Sequence, residues 1–352
     1  MRNITLSRDD KYLLAACWLP KGILVVETKE LKPLHWIPVK GKISALYALR
    51  SQDKALFTLR DQPKIGILDT KNFTIKYVSL PEPVEDFFIT LDEKAIVGSL
   101  RKGKVLHVIQ WQTGKVLFEG ETPGMPHLFS AAFWYNKGHF YFATPHLGRP
   151  WITVWQMNPW KFVTKINTGG AGFFVRTHAN TPYLWVDNGS DQIVLIEKRT
   201  LKLKKKVLIP GKKVLHTEFS GDGKIAYISI FDKKGALLLL DSSTAEILAS
   251  LPASLPVGKY NFRNKERRYL LSSLGREVFM GKCWGCHHQT QKAFGPSFRW
   301  IIRHRKKSQI VAQMIDPAKV SKHLGYKRNG MPQIPLNRDE IRALLAFMEE
   351  LK

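Results

Sequence analysis

The stretch Cys283-Trp284-Gly285-Cys286-His287 carries the most specific chemistry in the chain. Two thiols three positions apart, followed at once by an imidazole, make the C-x-x-C-H signature of covalent haem attachment. The thiols become thioethers on the porphyrin's vinyl groups, and the imidazole becomes an axial iron ligand. A zinc site would need a second ligand pair, and the chain has only three cysteines.

Downstream of the motif the chain has the layout of a small haem-binding module. Gly295-Pro296 comes first, then the loop Asn329-Gly330-Met331-Pro332, then a helical pattern in which Asn337 can cap with Glu340 at the third position. Ile341, Leu344, Leu345, Met348 and Leu351 form one apolar stripe of that helix. From about Ser273 to Lys352 the chain resembles a class I cytochrome c. The resemblance implies that the Pro296 carbonyl orients His287 and that Met331 is the sixth iron ligand. His288 is read as a surface residue. His304 and His323, set among lysines and arginines, are read as solvated side chains or weak alternative ligands.

The elements that position this module begin with the bounds of the chain. Its 352 residues, 44% hydrophobic, allow two domains, expected at 1–264 and 265–352, and no apolar run is long enough to span a membrane. The formal charge of +26 is spread through the sequence. Runs such as Lys204-Lys205-Lys206 are too short for a nucleic-acid tail, so nucleic acid is not an expected partner. A scattered positive field suits small anions or an acidic redox partner instead. Haem attachment of this kind occurs outside the cytoplasm, so a periplasmic protein is expected. Met1-Arg2-Asn3-Ile4-Thr5 nevertheless opens directly into a turn and a strand, with no signal peptide, which suggests a processed or incomplete amino terminus. Cys17, in an apolar strand, is expected to be buried.

Residues 1 to about 262 repeat. Strands such as Ile23-Leu24-Val25-Val26, Ile65-Gly66-Ile67-Leu68 and Leu237-Leu238-Leu239-Leu240 recur at a little over forty residues. A Ser-x-Asp-x-Lys turn precedes some units, at Ser7 to Lys11 and Ser220 to Lys224. That period predicts an all-β propeller with six visible units, followed by the small all-α domain. A propeller binds ligands where its loops converge at the axis, so departures from the repeat are candidate site residues. His146, in Ala143-Thr144-Pro145-His146-Leu147-Gly148, and His178, in Arg176-Thr177-His178-Ala179-Asn180, interrupt neighbouring units.

Gly169-Gly170-Ala171-Gly172-Phe173-Phe174-Val175-Arg176-Thr177-His178 and Tyr183-Leu184-Trp185-Val186-Asp187 resemble the haem d1 propeller of cytochrome cd1 nitrite reductases. Three further segments are similar to it: the one holding His146, Met125-Pro126-His127, and Val257-Gly258-Lys259-Tyr260-Asn261-Phe262-Arg263-Asn264. The resemblance implies that His146 and His178 lie on the distal side of haem d1 and supply protons to nitrite, with His127 in a lesser role. His35, His107, His139 and His216 are read as structural. It also implies an eight-bladed ring, with a second subunit or an amino-terminal segment supplying the missing blades and the proximal ligand of haem d1. The expected activity is reduction of nitrite to nitric oxide, with electrons passing from a small donor protein through haem c. The alternatives are oxidation of a haem d1 precursor, and an electron carrier whose propeller holds no cofactor.

Overall fold

The computed structural model describes residues 3–100, 103–257 and 267–352. The expected domain boundary and the segment 258–264 lie outside them. Six four-stranded antiparallel sheets follow one another as meanders: blade 1 (3–38), blade 2 (43–79), blade 3 (84–121), blade 4 (132–167), blade 5 (175–207) and blade 6 (213–253). First strands pack against one another between blades 1 and 2, 2 and 3, and 5 and 6, which places them on the inner side of the ring. The fourth strands form the rim, and that of blade 1, Pro33–Pro38, is almost wholly exposed. Central strands are buried on both faces and accordingly read as apolar runs; every residue of Ala95–Leu100 is buried.

The repeat is written in its hydrogen bonds. Bonds between adjacent blades join residues 43 apart, as in Leu46 N to Asn3 Oδ1, Arg50 N to Glu93 Oε1 and Phe129 N to Asp86 Oδ2. The Ser-x-Asp-x-Lys turns close in the same way at both predicted places. Ser7 Oγ donates to Asp9 Oδ1 at 2.8 Å and accepts from Tyr12 N, while Ser220 Oγ donates to Asp222 Oδ1 at 2.7 Å and accepts from Ile225 N. Thr90 and Asp92 repeat the pattern in blade 3.

Five apolar clusters fill the joints between successive blades, from blades 1 and 2 through blades 5 and 6. Among the described residues no cluster joins blade 6 back to blade 1, so the six blades form an open arc. The uncovered face of blade 1 carries Ile4, 50% exposed, with half-buried Leu13, Leu24 and Val26. Cys17 is also half-buried, contrary to the expectation of a core thiol. Strand alternation sends it to the face opposite Leu14 and Ala16, which pack towards blade 2.

The carboxyl-terminal domain comprises helices α1 (Arg267–Lys282), α2 (Phe298–His304), α3 (Lys307–Ile315), α4 (Pro317–Val320) and α5 (Arg338–Glu350). Asn337 and Glu340 make the predicted capping box. The buried face of α5 is shifted from the predicted stripe: Ala343 and Phe347 are buried beside Leu344 and Met348, while Ile341, Leu345 and Leu351 are half-buried. Helices α1 and α5 pack closely because Gly275 has no side chain, and a Cβ there would sit 1.9 Å from the Ala343 carbonyl oxygen. Their apolar residues merge with those of blades 3 and 4 in one cluster, which seats the helical domain on the propeller. Polar bonds pin the same contact: Tyr135 N to Glu277 Oε2 at 2.5 Å, Asn158 Nδ2 to Asp339 Oδ2 at 2.5 Å, and Tyr135 Oη to Glu340.

Candidate functional site

Two cavities lie along helix α1, whose last residue, Lys282, reaches one and whose Leu270, Leu274 and Glu277 line the other. The first lies within the helical domain and measures about 390 Å³, with Cys283, Cys286, His287 and Met331 all on its lining. The chain turns tightly after α1: His287 N donates to Cys283 O at 2.9 Å, which brings both thiols and the imidazole to the same wall. His287 Nδ1 donates to Pro296 O at 2.7 Å, leaving Nε2 as the lone-pair donor suited to a metal. Gly295 permits this approach, since a Cβ there would fall 2.5 Å from His287 Cε1. Both cysteines are unpaired, and burial pushes the Cys283 thiol up to about 12. Met331 faces the cavity from its loop, its sulfur 3.8 Å from Gln313 Nε2. The donor set and the apolar volume fit a covalently attached haem.

The second cavity, about 170 Å³, lies at the propeller axis beneath α1. Phe87, Phe88 and Phe133 make its aromatic wall; Arg176, His178 and Glu218 supply its polar groups; Leu270, Leu274 and Glu277 close it from α1. His178 is 9% exposed and its Nδ1 accepts from Asn180 N at 3.2 Å. Gly223, with φ +70°, lies against the ring; a Cβ there would meet His178 Nδ1 at 1.8 Å. Burial lowers His178 to about 4, with Lys198 and Arg276 acting in the same direction, so the imidazole is neutral at ordinary pH.

The structure does not bring His146 to this cavity. His146 sits between the second and third strands of blade 4, whereas His178 sits between the first and second strands of blade 5. In a meander those two connections lie at opposite ends of the ring. His146 is fully enclosed: Nδ1 donates to Gly124 O at 2.9 Å, and Nε2 pairs with Thr153 Oγ1 at 2.9 Å. Burial lowers it too, to about 4. His127 is at the same end as His146, its Nδ1 donating to Phe173 O. His216, read as structural, packs 4.3 Å from Phe174. His107 pairs with Glu119 across adjacent strands at 2.8 Å. The glycines of the 169–172 run are needed because the loop folds back on blade 5: a Cβ on Gly172 would lie 1.6 Å from Asp187 O. Asp187 in turn accepts from Phe173 N and Phe174 N.

Sequence reasoning missed Glu277 and Lys198. Lys198 Nζ donates to Glu277 Oε1 at 2.6 Å and to His178 O at 3.1 Å.

A model of the cytochrome D1 heme domain matches residues 1–265, and one of cytochrome c matches residues 272–352. The chain belongs to the cytochrome d1 haem domain family. Within it, a relative is the dihydro-heme d1 dehydrogenase of Pseudomonas aeruginosa, 32% identical over 278 residues, covering 75% of this chain and 56% of that protein. The solved structure of dihydro-heme d1 dehydrogenase NirN in complex with DHE superposes with a TM-score of 0.71 at 32% identity, over 75% of this chain and 60% of that one. Protein NirF of the same organism is 32% identical over 117 residues, covering 32% of this chain and 29% of that protein. The chain thus spans little more than half the length of the first of these d1-domain relatives.

Proposed function

We propose that this cytochrome d1-domain protein oxidises a reduced haem d1-type tetrapyrrole at the propeller axis. Cys283, Cys286, His287 and Met331 would hold a haem c, which would supply one-electron acceptor chemistry between this site and an external one-electron acceptor. The observation that carries this reading is the chemistry of the axial cavity. Nitrite reduction calls for cationic imidazoles that attract an anion and donate protons. Here His178 alone of the expected pair lines the cavity, it is held neutral, and a carboxylate stands beside it. A neutral imidazole with a carboxylate suits removal of protons from a substrate instead. Similarity to a dihydro-heme d1 dehydrogenase supports the same direction of electron flow.

The aromatic wall, Arg176 and His178 fit a flat macrocycle with acidic substituents. The volume of about 170 Å³ is below the roughly 300–1,000 Å³ of ordinary ligand pockets and takes only an edge of it. In this reading further blades cover the open faces of blades 1 and 6 and widen the bore, and they belong to another segment or to a partner subunit. Helix α1 joins the two sites: Glu277 and Lys282 are separated by only about 8 Å of helical rise. The covalent haem implies a periplasmic setting. The test is anaerobic mixing of the haem c-loaded chain, in its native assembly, with the dihydro form of haem d1. Two haem c centres reduced per tetrapyrrole oxidised is the expected result. Turnover of nitrite without reduction of haem c by the tetrapyrrole would refute the reading.

A further inference from the structure

The helix that ends at the haem-attaching cysteine also presents a carboxylate to the propeller cavity. Glu277 is a residue of the cytochrome domain, yet it lines the cavity with His178 and its contacts are to the propeller. Oε1 accepts from Lys198 Nζ at 2.6 Å, and Oε2 accepts from Tyr135 N at 2.5 Å. Lys198 also holds the His178 carbonyl, so ammonium, carboxylate and imidazole-bearing turn form one unit. The Lys198 and Glu277 side chains are only 12% and 11% exposed. A buried ion pair is seldom the cheapest way to hold two surfaces together, because desolvation offsets much of its attraction. This domain contact already has an apolar seat in Leu274, Val278 and Phe279, so adhesion alone does not account for a carboxylate here.

We propose that Glu277 is the proton acceptor of the propeller cavity, supplied in cis by the cytochrome domain, with Lys198 as the positioning residue that holds its carboxylate against the His178 turn. This rests on the oxidative reading above. When a CH–CH unit of a saturated tetrapyrrole side chain becomes C=C, two hydrogens leave as two protons and two electrons. The haem c that Cys283, Cys286, His287 and Met331 would hold would take the electrons one at a time, with the external one-electron acceptor as the final oxidant. Glu277 takes the first proton and becomes a neutral acid, loses it to solvent, and takes the second by the same route.

The groups around it favour this assignment. Lys198, His178 and Arg176 face the site from blade 5, Glu218 from blade 6, Tyr135 from blade 4, and Arg276 lies beside Glu277 on the helix. Burial pushes the Glu277 carboxyl above its ordinary range, against the pull of Lys198 and of Tyr135 N. His178, pushed down to about 4, is neutral at ordinary pH.

The test uses the haem c-loaded full chain in its native assembly, as wild type, Glu277→Gln and Glu277→Asp. In the absence of tetrapyrrole, infrared difference spectra on acidification should contain a buried carboxylic-acid C=O band that Glu277→Gln lacks. Optical titration should give both proteins the same affinity for oxidised haem d1 within about threefold, and the reduced haem c spectrum should be unchanged. In a single turnover with the dihydro tetrapyrrole, Glu277→Gln should reduce haem c about 100-fold more slowly and lose the rise of rate with pH, while Glu277→Asp keeps that rise. Equal rates in wild type and Glu277→Gln would overturn the assignment and leave the oxidative reading standing. A missing carboxyl band in wild type would overturn it as well. Failure of wild type to reduce haem c would refute both.

Discussion

Acidification should unlock the propeller through His146, and the amount can be worked from its surroundings. The ring is fully enclosed, tied at both nitrogens, and lowered by burial to about 4, with the Gly124 carbonyl opposing the shift. An unfolded imidazole titrates near 6.5, so below that pH the unfolded chain binds a proton that the folded chain refuses. Stability is therefore complete above 6.5 and drains away as pH falls towards 4. The full window is worth about 3 kcal/mol, of which about 2 kcal/mol is lost by pH 5. His178 acts in the same sense, so wild type alone cannot apportion the loss. His146→Gln supplies an amide in place of the ring and removes its titration. It should unfold in less urea than wild type at pH 7, yet lose about 2 kcal/mol less between pH 7 and pH 5. Tryptophan fluorescence follows the propeller and haem absorption follows the helical domain, because the two need not unfold together. Parallel loss of stability with pH in both proteins would refute the reasoning.

Gly275→Ala places a methyl 1.9 Å from the Ala343 carbonyl and forces α1 from α5; stability of the helical domain should fall by about 3 kcal/mol, and haem content per chain should drop with it. Normal haem absorption per chain would contradict that packing. Met331→Ala leaves the His287 wall of the pocket intact but removes its thioether, so the oxidised protein should lose the sulfur-to-iron absorption band and titrate at a lower potential. An unchanged band would remove Met331 from the iron.

The repeat and the haem motif were legible because both are local. A blade reuses one turn, one buried strand and one rim strand, and the period read from apolar runs returns in bonds such as Arg50 N to Glu93 Oε1, 43 residues apart. The capping box at Asn337 needs only four consecutive residues. What escaped were facts about which end of the ring a loop occupies and what docks there. His146 and His178 look alike as interruptions of a pattern, but one follows a second strand and the other a first. Counting strands within the meander would have separated them. No periodicity brings Glu277 to Lys198, 79 residues away, because that meeting depends on how the helical domain seats on the propeller.

That seating also ties the two cavities together. A propeller closes by burying both faces of each blade, and among the described residues five apolar joints between six blades leave two faces unmatched. Ile4, Leu13, Leu24 and Val26 on blade 1 face outward in the same way that Leu237 and Leu239 do on blade 6. Covering them with further blades would move the two ends of the arc apart and enlarge the bore beyond about 170 Å³. The wall formed by α1 would stay where it is, because Glu277 anchors it to blades 4 and 5 through Tyr135 and Lys198, away from the open sector. On the reading proposed above, growth of the ring would enlarge the space for a tetrapyrrole without lengthening the path to the cysteines of the C-x-x-C-H motif. On the same proposed reading, the distance between the two sites would be set by the described part of the chain, and capacity for a macrocycle by whatever closes the arc.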